Sequence, residues 1–182
     1  ASAKHPAMLR YLDNAQSMGP NSRLGQRAHR GLNENYAREL MELHSISPAA
    51  GYAQDDVTEL ARLLTGWSAG NPGPSPFVFR APMHEPGEKR VMGRTWPEGE
   101  AAGEAAIAWL ANHPATHRHL AEKLARHFVA DDPPPAAVAA IEKRLADTGG
   151  DLKEAAKAVL ALPQPWAQPL SKLRTPQEYA LA

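Results

Sequence analysis

Residues 31–67, GLNENYARELMELHSISPAAGYAQDDVTELARLLTGW, decide the fold, because two helical patterns follow each other there and each turns an ionisable residue toward its apolar side. At about 100° per residue, Glu34, Asn35, Arg38, Glu39 and Glu42 share one side, and Tyr36, Ala37, Leu40, Met41 and Leu43 the other, with His44 among the apolar group. The same construction from Asp56 gathers Val57, Leu60, Ala61, Leu63, Leu64 and Trp67 on one arc and sets Thr58, Glu59, Arg62 and Thr65 opposite, with Asp56 between Leu63 and Trp67. An imidazole that ends one helix and a carboxylate that opens the next, both turned inward, need a partner: each other, a metal or a ligand.

Outward from this pair of helices, His5 to Asn14 reads as a short helix ended by Gly19-Pro20-Asn21-Ser22, and residues 17–32 read as a polar loop. Asn33 is a candidate N-cap for a helix that stops near Ile46, before Pro48. Asp55 and Asp56 give the next helix the acidic first turn that its dipole favours. The runs FVFR at 77–80 and KRVMG at 89–93, around Pro86-Gly87, predict a single hairpin inserted at about 76–94. Beyond Pro97 the chain is Ala-rich with helical periodicity, predicting helices over 98–112, 114–130, 135–147 and 151–162, and Thr175-Pro176-Gln177-Glu178 opens another. The fold class is therefore mainly α: a single helical domain over 1–182, of about seven helices with one small β-hairpin.

Composition excludes several functions. Lys plus Arg and Asp plus Glu are 20 each, so no net field draws the chain to nucleic acid or an anionic membrane. Without cysteine there is neither a disulfide nor a thiolate nucleophile or ligand. No apolar run is long enough to span a bilayer and no signal segment opens the chain. It begins ASAKHPAML, without an initiator Met, which suggests a piece of a larger protein. Phosphate-binding loops and the GxSxG elbow are absent from the sequence.

The candidate functional residues form three groups. His44 and Asp56 fit either a buried hydrogen bond locking two helices or a metal or acid/base pair, although Glu42 and His44 are two apart and face different sides. Asn33, Glu34, Asn35, Arg38, Glu39 and Glu42 form a polar face that could take a ligand, while Glu34–Arg38 and Arg38–Glu42 are also ordinary i, i+4 ion pairs. His84, Glu85 and Lys89 are expected on an exposed hairpin tip, where they could ligate or exchange a proton, or simply form a polar turn. If a metal is held, His44, Asp56 and His84 are its candidate ligands and a divalent ion the candidate cofactor. His113, His117 and His127 read as core or boundary histidines.

Taken together, GLNENYARELMELH, GY, QDDVTELARLLTGW, FVF, HEPGEK and VMG, with HPAMLRYLDNAQS and GPNS before them and HPATHRHLAEKLARHFVADDPP after, resemble the bacterial family catalogued as domain of unknown function 1800. The resemblance covers nearly the whole chain and implies the C-terminal portion of a larger, often exported protein. It carries no activity. Three positions depart from the pattern: Ser47 stands where Gly is usual, Ala53 where a hydroxyl would cap a helix, and Glu85 where Asp is more usual after His84. The expected function is a structural or protein-interaction domain of an exported (periplasmic or secreted) protein, its partner being the rest of the same protein or another one. The alternative is a metal-dependent enzyme, perhaps hydrolytic, with its site near His44, Asp56 and His84.

Overall fold

The computed structural model describes residues 2–28, 31–70, 76–167 and 175–181, which divide into two compact units, residues 1–110 and 111–182. The mainly α class holds. In the first unit α1 (Pro6–Tyr11), α2 (Arg23–Ala28), α3 (Asn35–Glu42), α4 (Gln54–Leu64) and α5 (Glu100–Ala111, which runs to the boundary) are helical. Two antiparallel pairs sit between α4 and α5: β1 (Trp67–Ala69) with β2 (Phe77–Phe79), and β3 (Lys89–Val91) with β4 (Arg94–Trp96). In the second, α6 (Pro114–Phe128), α7 (Pro135–Asp147) and α8 (Leu152–Ala161) pack together around Ala121, Ala125, Ile141, Leu145, Ala155 and Val159. His117 is buried, as its place on the apolar stripe of α6 requires. A short α9 (Pro176–Leu181) follows.

α4 organises the first unit, packing on α3 with one flank and on β3 with another. Its apolar arc, Val57, Leu60, Ala61, Leu63 and Leu64, is fully buried, in register with the helical construction above. Trp67 extends that arc into β1, edge-on to Phe77 with ring centroids 5.5 Å apart. Burial of these side chains, at about 1.5–3 kcal/mol each, outweighs the propensities of so short a set of helices.

Two expectations are corrected. The strand-like runs are strands, but they do not pair with each other: 77–79 pairs back to 67–69, and 89–91 pairs forward to 94–96. The turn responsible is Met92-Gly93, both at positive φ (48° and 79°), the pattern of a type I′ hairpin whose first central residue is usually Asn, Asp or Gly. The polar segment 17–32 contains α2, which starts because the Ser22 hydroxyl accepts the Gly25 N–H at 3.0 Å.

Ser47 lies at φ 61°, ψ 162°, a region populated almost only by glycine. Its N–H donates to the Met41 carbonyl (2.8 Å) and its hydroxyl accepts the Ala49 N–H (3.3 Å), so the turn is held despite the strain. Relief of one to three kcal/mol of strain outweighs the entropy cost of glycine. Ser47→Gly is therefore expected to raise stability by about 1 kcal/mol in urea unfolding; a lower midpoint would show that the hydroxyl cap dominates.

Candidate functional site

The polar cluster with the most bonds is built by the segment 83–89, MHEPGEK, and it is inside the protein: His84, Glu85 and Lys89 are 9%, 5% and 2% exposed. The exposed hairpin tip expected for them is thus corrected. The segment is drawn in because Thr65, just past the end of α4, offers three bonding positions. Its hydroxyl donates to the Arg62 carbonyl (2.6 Å) and accepts the Glu85 N–H (2.8 Å), while its own carbonyl accepts His84 Nδ1–H at 2.8 Å. Gly66 makes this approach possible: at φ 86° a side chain would be strained, and a Cβ would lie 2.9 Å from the Arg80 carbonyl oxygen.

His84 Nε2 accepts the Gly99 N–H at 2.8 Å. With Nδ1 bonded to a carbonyl and Nε2 to an N–H, the bonding network assigns the neutral Nδ1–H tautomer. Burial is the main reason its pKa lies below the ordinary imidazole value; the bond to Thr65 opposes, Lys89 adds to the depression, and Glu98 and Glu85 oppose it. Neither nitrogen has a lone pair left for a metal.

Glu85 reaches away from this ring to the Gly19–Ser22 turn. Its two oxygens accept the Asn21 backbone N–H (2.9 Å) and side-chain amide (2.6 Å), and the Gly19 N–H donates to the Met83 carbonyl at 2.9 Å. Lys89 closes the loop from inside, donating to the carbonyls of Glu85 and, at 2.7 Å, Gly87. Burial pushes its amine below the usual lysine range, against the charges of Glu85, Glu98 and Glu59.

Asp56 and His44 do not meet. Asp56 accepts the N–H of Ala53 (2.8 Å) and of Met92 (2.6 Å), so it caps its own helix and anchors the β3–β4 turn. Glu59, one turn on, accepts the Arg90 N–H at 3.1 Å. The cap is half of a capping box, since Ala53 has no side-chain oxygen to return. His44 is exposed rather than buried, because α3 ends at Glu42 and the helical angle no longer applies two residues later. Asp56 and His84 are themselves held at opposite ends of α4, about 12 Å apart along its axis. Among the described residues, no three His, Asp or Glu side chains gather as a metal site.

The polar face of α3 splits in two. Glu34 accepts the Thr58 hydroxyl (2.6 Å), Gln54 Nε2 (2.7 Å) and Arg38 Nη2 (3.1 Å), tying the start of α3 to α4. These bonds, the hydroxyl first, hold its carboxyl below the usual range. Asn33 Oδ1 accepts the Asn35 N–H at 3.0 Å. Arg38 spends its guanidinium on Glu34 and Gln54, so the expected pair with Glu42 does not form; Glu42 instead helps burial push the Tyr52 hydroxyl up. Asn35, Glu39, Leu43 and His44 face α1 across a groove of about 830 Å³ completed by Met8, Tyr11 and Leu12. Tyr11 and Leu43 are 85% and 48% exposed in it.

Sequence reasoning thus found most of the polar residues that matter but missed Thr65, Asn21, Gly19 and Gly99, which hold them. The GPNS turn was visible at 19–22; its partner 64 residues further on was not.

A family described as "Protein of unknown function (DUF1800)" matches residues 1–182, the whole chain. No curated protein and no solved structure matches it.

Proposed function

The chain belongs to the DUF1800 family, and we propose that it is a structural, protein-binding portion of an exported bacterial protein, with the groove between α1 and α3 as its docking surface. One observation carries the reading: His84 and Asp56 spend their polar atoms on the chain's own backbone, while the groove leaves a large aromatic and a leucine in solvent. An 85% exposed Tyr11 beside Met8, Leu12 and Leu43 is an anchor of the kind that interfaces bury. Glu39 at the rim has no ion pair among the described residues. An apolar protein segment, from the same protein or another, suits this surface better than a small polar substrate does. No described helix is long and apolar enough to cross a membrane.

The test is photo-crosslinking in cells making the whole protein, with benzoylphenylalanine at position 11 or 43 and, as a control, at the exposed Lys143. Positions 11 and 43 are expected to label the same polypeptide segment, and Leu43→Asp to abolish labelling from position 11. No adduct at either position beyond those of the control would overturn the proposal.

A further inference from the structure

Two other cavities in the first unit, about 610 and 510 Å³, meet at Asp13 and Gln16, which line both. The turn between these residues is fixed from beneath. Buried Asn14 donates its amide to the carbonyls of Leu64 (3.1 Å) and Trp67 (2.9 Å), and the Ser68 hydroxyl donates to the Ala15 carbonyl (3.0 Å). Asp13 itself sits at φ 61°, ψ 9°, a left-handed conformation uncommon for a residue with a side chain. The clamps on Asn14 and Ala15 hold the turn in this conformation, with the exposed Asp13 lining both cavities.

The smaller cavity has an apolar floor, with Met18 and Met83, and carries Arg10 and Arg80 on its edge. Arg10 is positioned by donating to the Gly70 carbonyl (3.3 Å), and Arg80 by its backbone N–H on the Gly66 carbonyl (2.8 Å). Among the described residues neither guanidinium pairs with a carboxylate, and Asp13 pairs with no cation. Some other charges of this unit are paired, Lys4 with Glu100, Arg38 with Glu34 and Arg62 with Glu59, while Arg94 is stacked on Trp96; what sets Arg10, Arg80 and Asp13 apart is that they line one cavity. With no ion pair among the described residues, these three leave both signs of charge available to a guest.

We infer that this cleft binds a small zwitterion with an apolar body, a free amino acid or short peptide, its carboxylate on Arg10 and Arg80 and its ammonium on Asp13. Guanidinium takes a carboxylate in a forked pair, and a thioether floor accepts varied apolar side chains. The volume lies within the range of small-molecule sites. A ligand with one charge would leave the opposite group unmatched, so both ends of the guest contribute to selection.

The experiment is an amide-resolved NMR titration of the chain with leucine and leucyl-leucine, and with leucyl-leucinamide and N-acetyl-leucyl-leucine, in which one end is blocked. Saturable shifts are expected at Asp13, Ala15, Gln16, Ser68 and Arg80 with a free zwitterion, and binding about tenfold weaker for each blocked form. Arg80→Gln should weaken leucyl-leucine about tenfold and leave the amide unchanged. Asp13→Asn should do the same with respect to the N-acetyl form, and Arg118→Gln, in the other unit, should change nothing. Equal binding by leucine would assign the guest as an amino acid, and weaker binding would assign it as a peptide. The inference is overturned if neither free ligand gives saturable shifts by about 10 mM, if blocked and free forms bind alike, or if Arg80→Gln has no effect.

Discussion

Gly19→Ala is expected to destabilise the chain by about 3 kcal/mol, the upper range for overpacking by one methyl group. A Cβ at this position would lie 2.4 Å from Glu85 Oε2, 2.5 Å from Glu85 Cα and 2.6 Å from Glu85 Cβ. Two of these atoms cannot swing aside, because Glu85 is held at its N–H by Thr65 and at both carboxylate oxygens by Asn21. Relief must come from separating the 19–22 turn from the 83–89 segment, which breaks the Gly19 N–H bond to Met83 and loosens the bidentate grip of Glu85. Gly19 is not among the glycines at positive φ, so the cost is contact rather than backbone strain. Gly31→Ala, where a Cβ would meet nothing within 4 Å, is the control and should change stability by under about 0.5 kcal/mol. Urea unfolding of both variants measures the difference. Equal midpoints would mean that the two segments are not in contact.

The contact between the 19–22 turn and the 83–89 segment, which with Thr65 forms a clasp around His84 and Glu85, is not declared by the sequence. Helical periodicity locates α3, α4 and the α6 to α8 hairpins because each helix declares its buried side within a dozen residues, and Leu60, Leu63 and Leu64 are buried as the pattern requires. Strand pairing is not declared in that way. Phe77–Phe79 could pair in either direction, and the choice was made by a Met92-Gly93 turn whose Met adopts a positive φ that its side chain disfavours. The polar residues were legible as residue types but not as roles. His84, Glu85 and Lys89 look like a solvated turn until Thr65, 19 residues before His84, and Asn21, 64 before Glu85, are brought to them. His44 misled in the opposite direction: extending the helix angle two residues past its end turned an exposed imidazole inward.

The two histidines are therefore expected to behave oppositely. His84→Ala should cost about 3 kcal/mol: it removes a ring packed 5.3 Å from Phe79 and leaves the Thr65 carbonyl and Gly99 N–H without their partner, each a loss of about 1–3 kcal/mol. His44→Ala, in solvent at the groove, should fall within about 0.5 kcal/mol of the parent. Acid separates them further. The folded chain holds His84 neutral with its pKa below the unfolded value of about 6.5, so between those two values the unfolded state binds more protons and stability rises with pH. The contribution is complete above about pH 6.5 and is lost as pH falls through the folded value. Urea midpoints taken from pH 8 down to pH 5 should decline below 6.5 for the parent and for His44→Ala, whereas His84→Ala, already weakened at pH 8, should lose most of that decline. The carboxylates held low, such as Glu34, act in a separate window below their ordinary value near 4.5 and leave this one clear. A slope that survives in His84→Ala and disappears in His44→Ala would move the titrating group to the groove and overturn the assignment of His84 as the neutral clasp between α4 and Gly99.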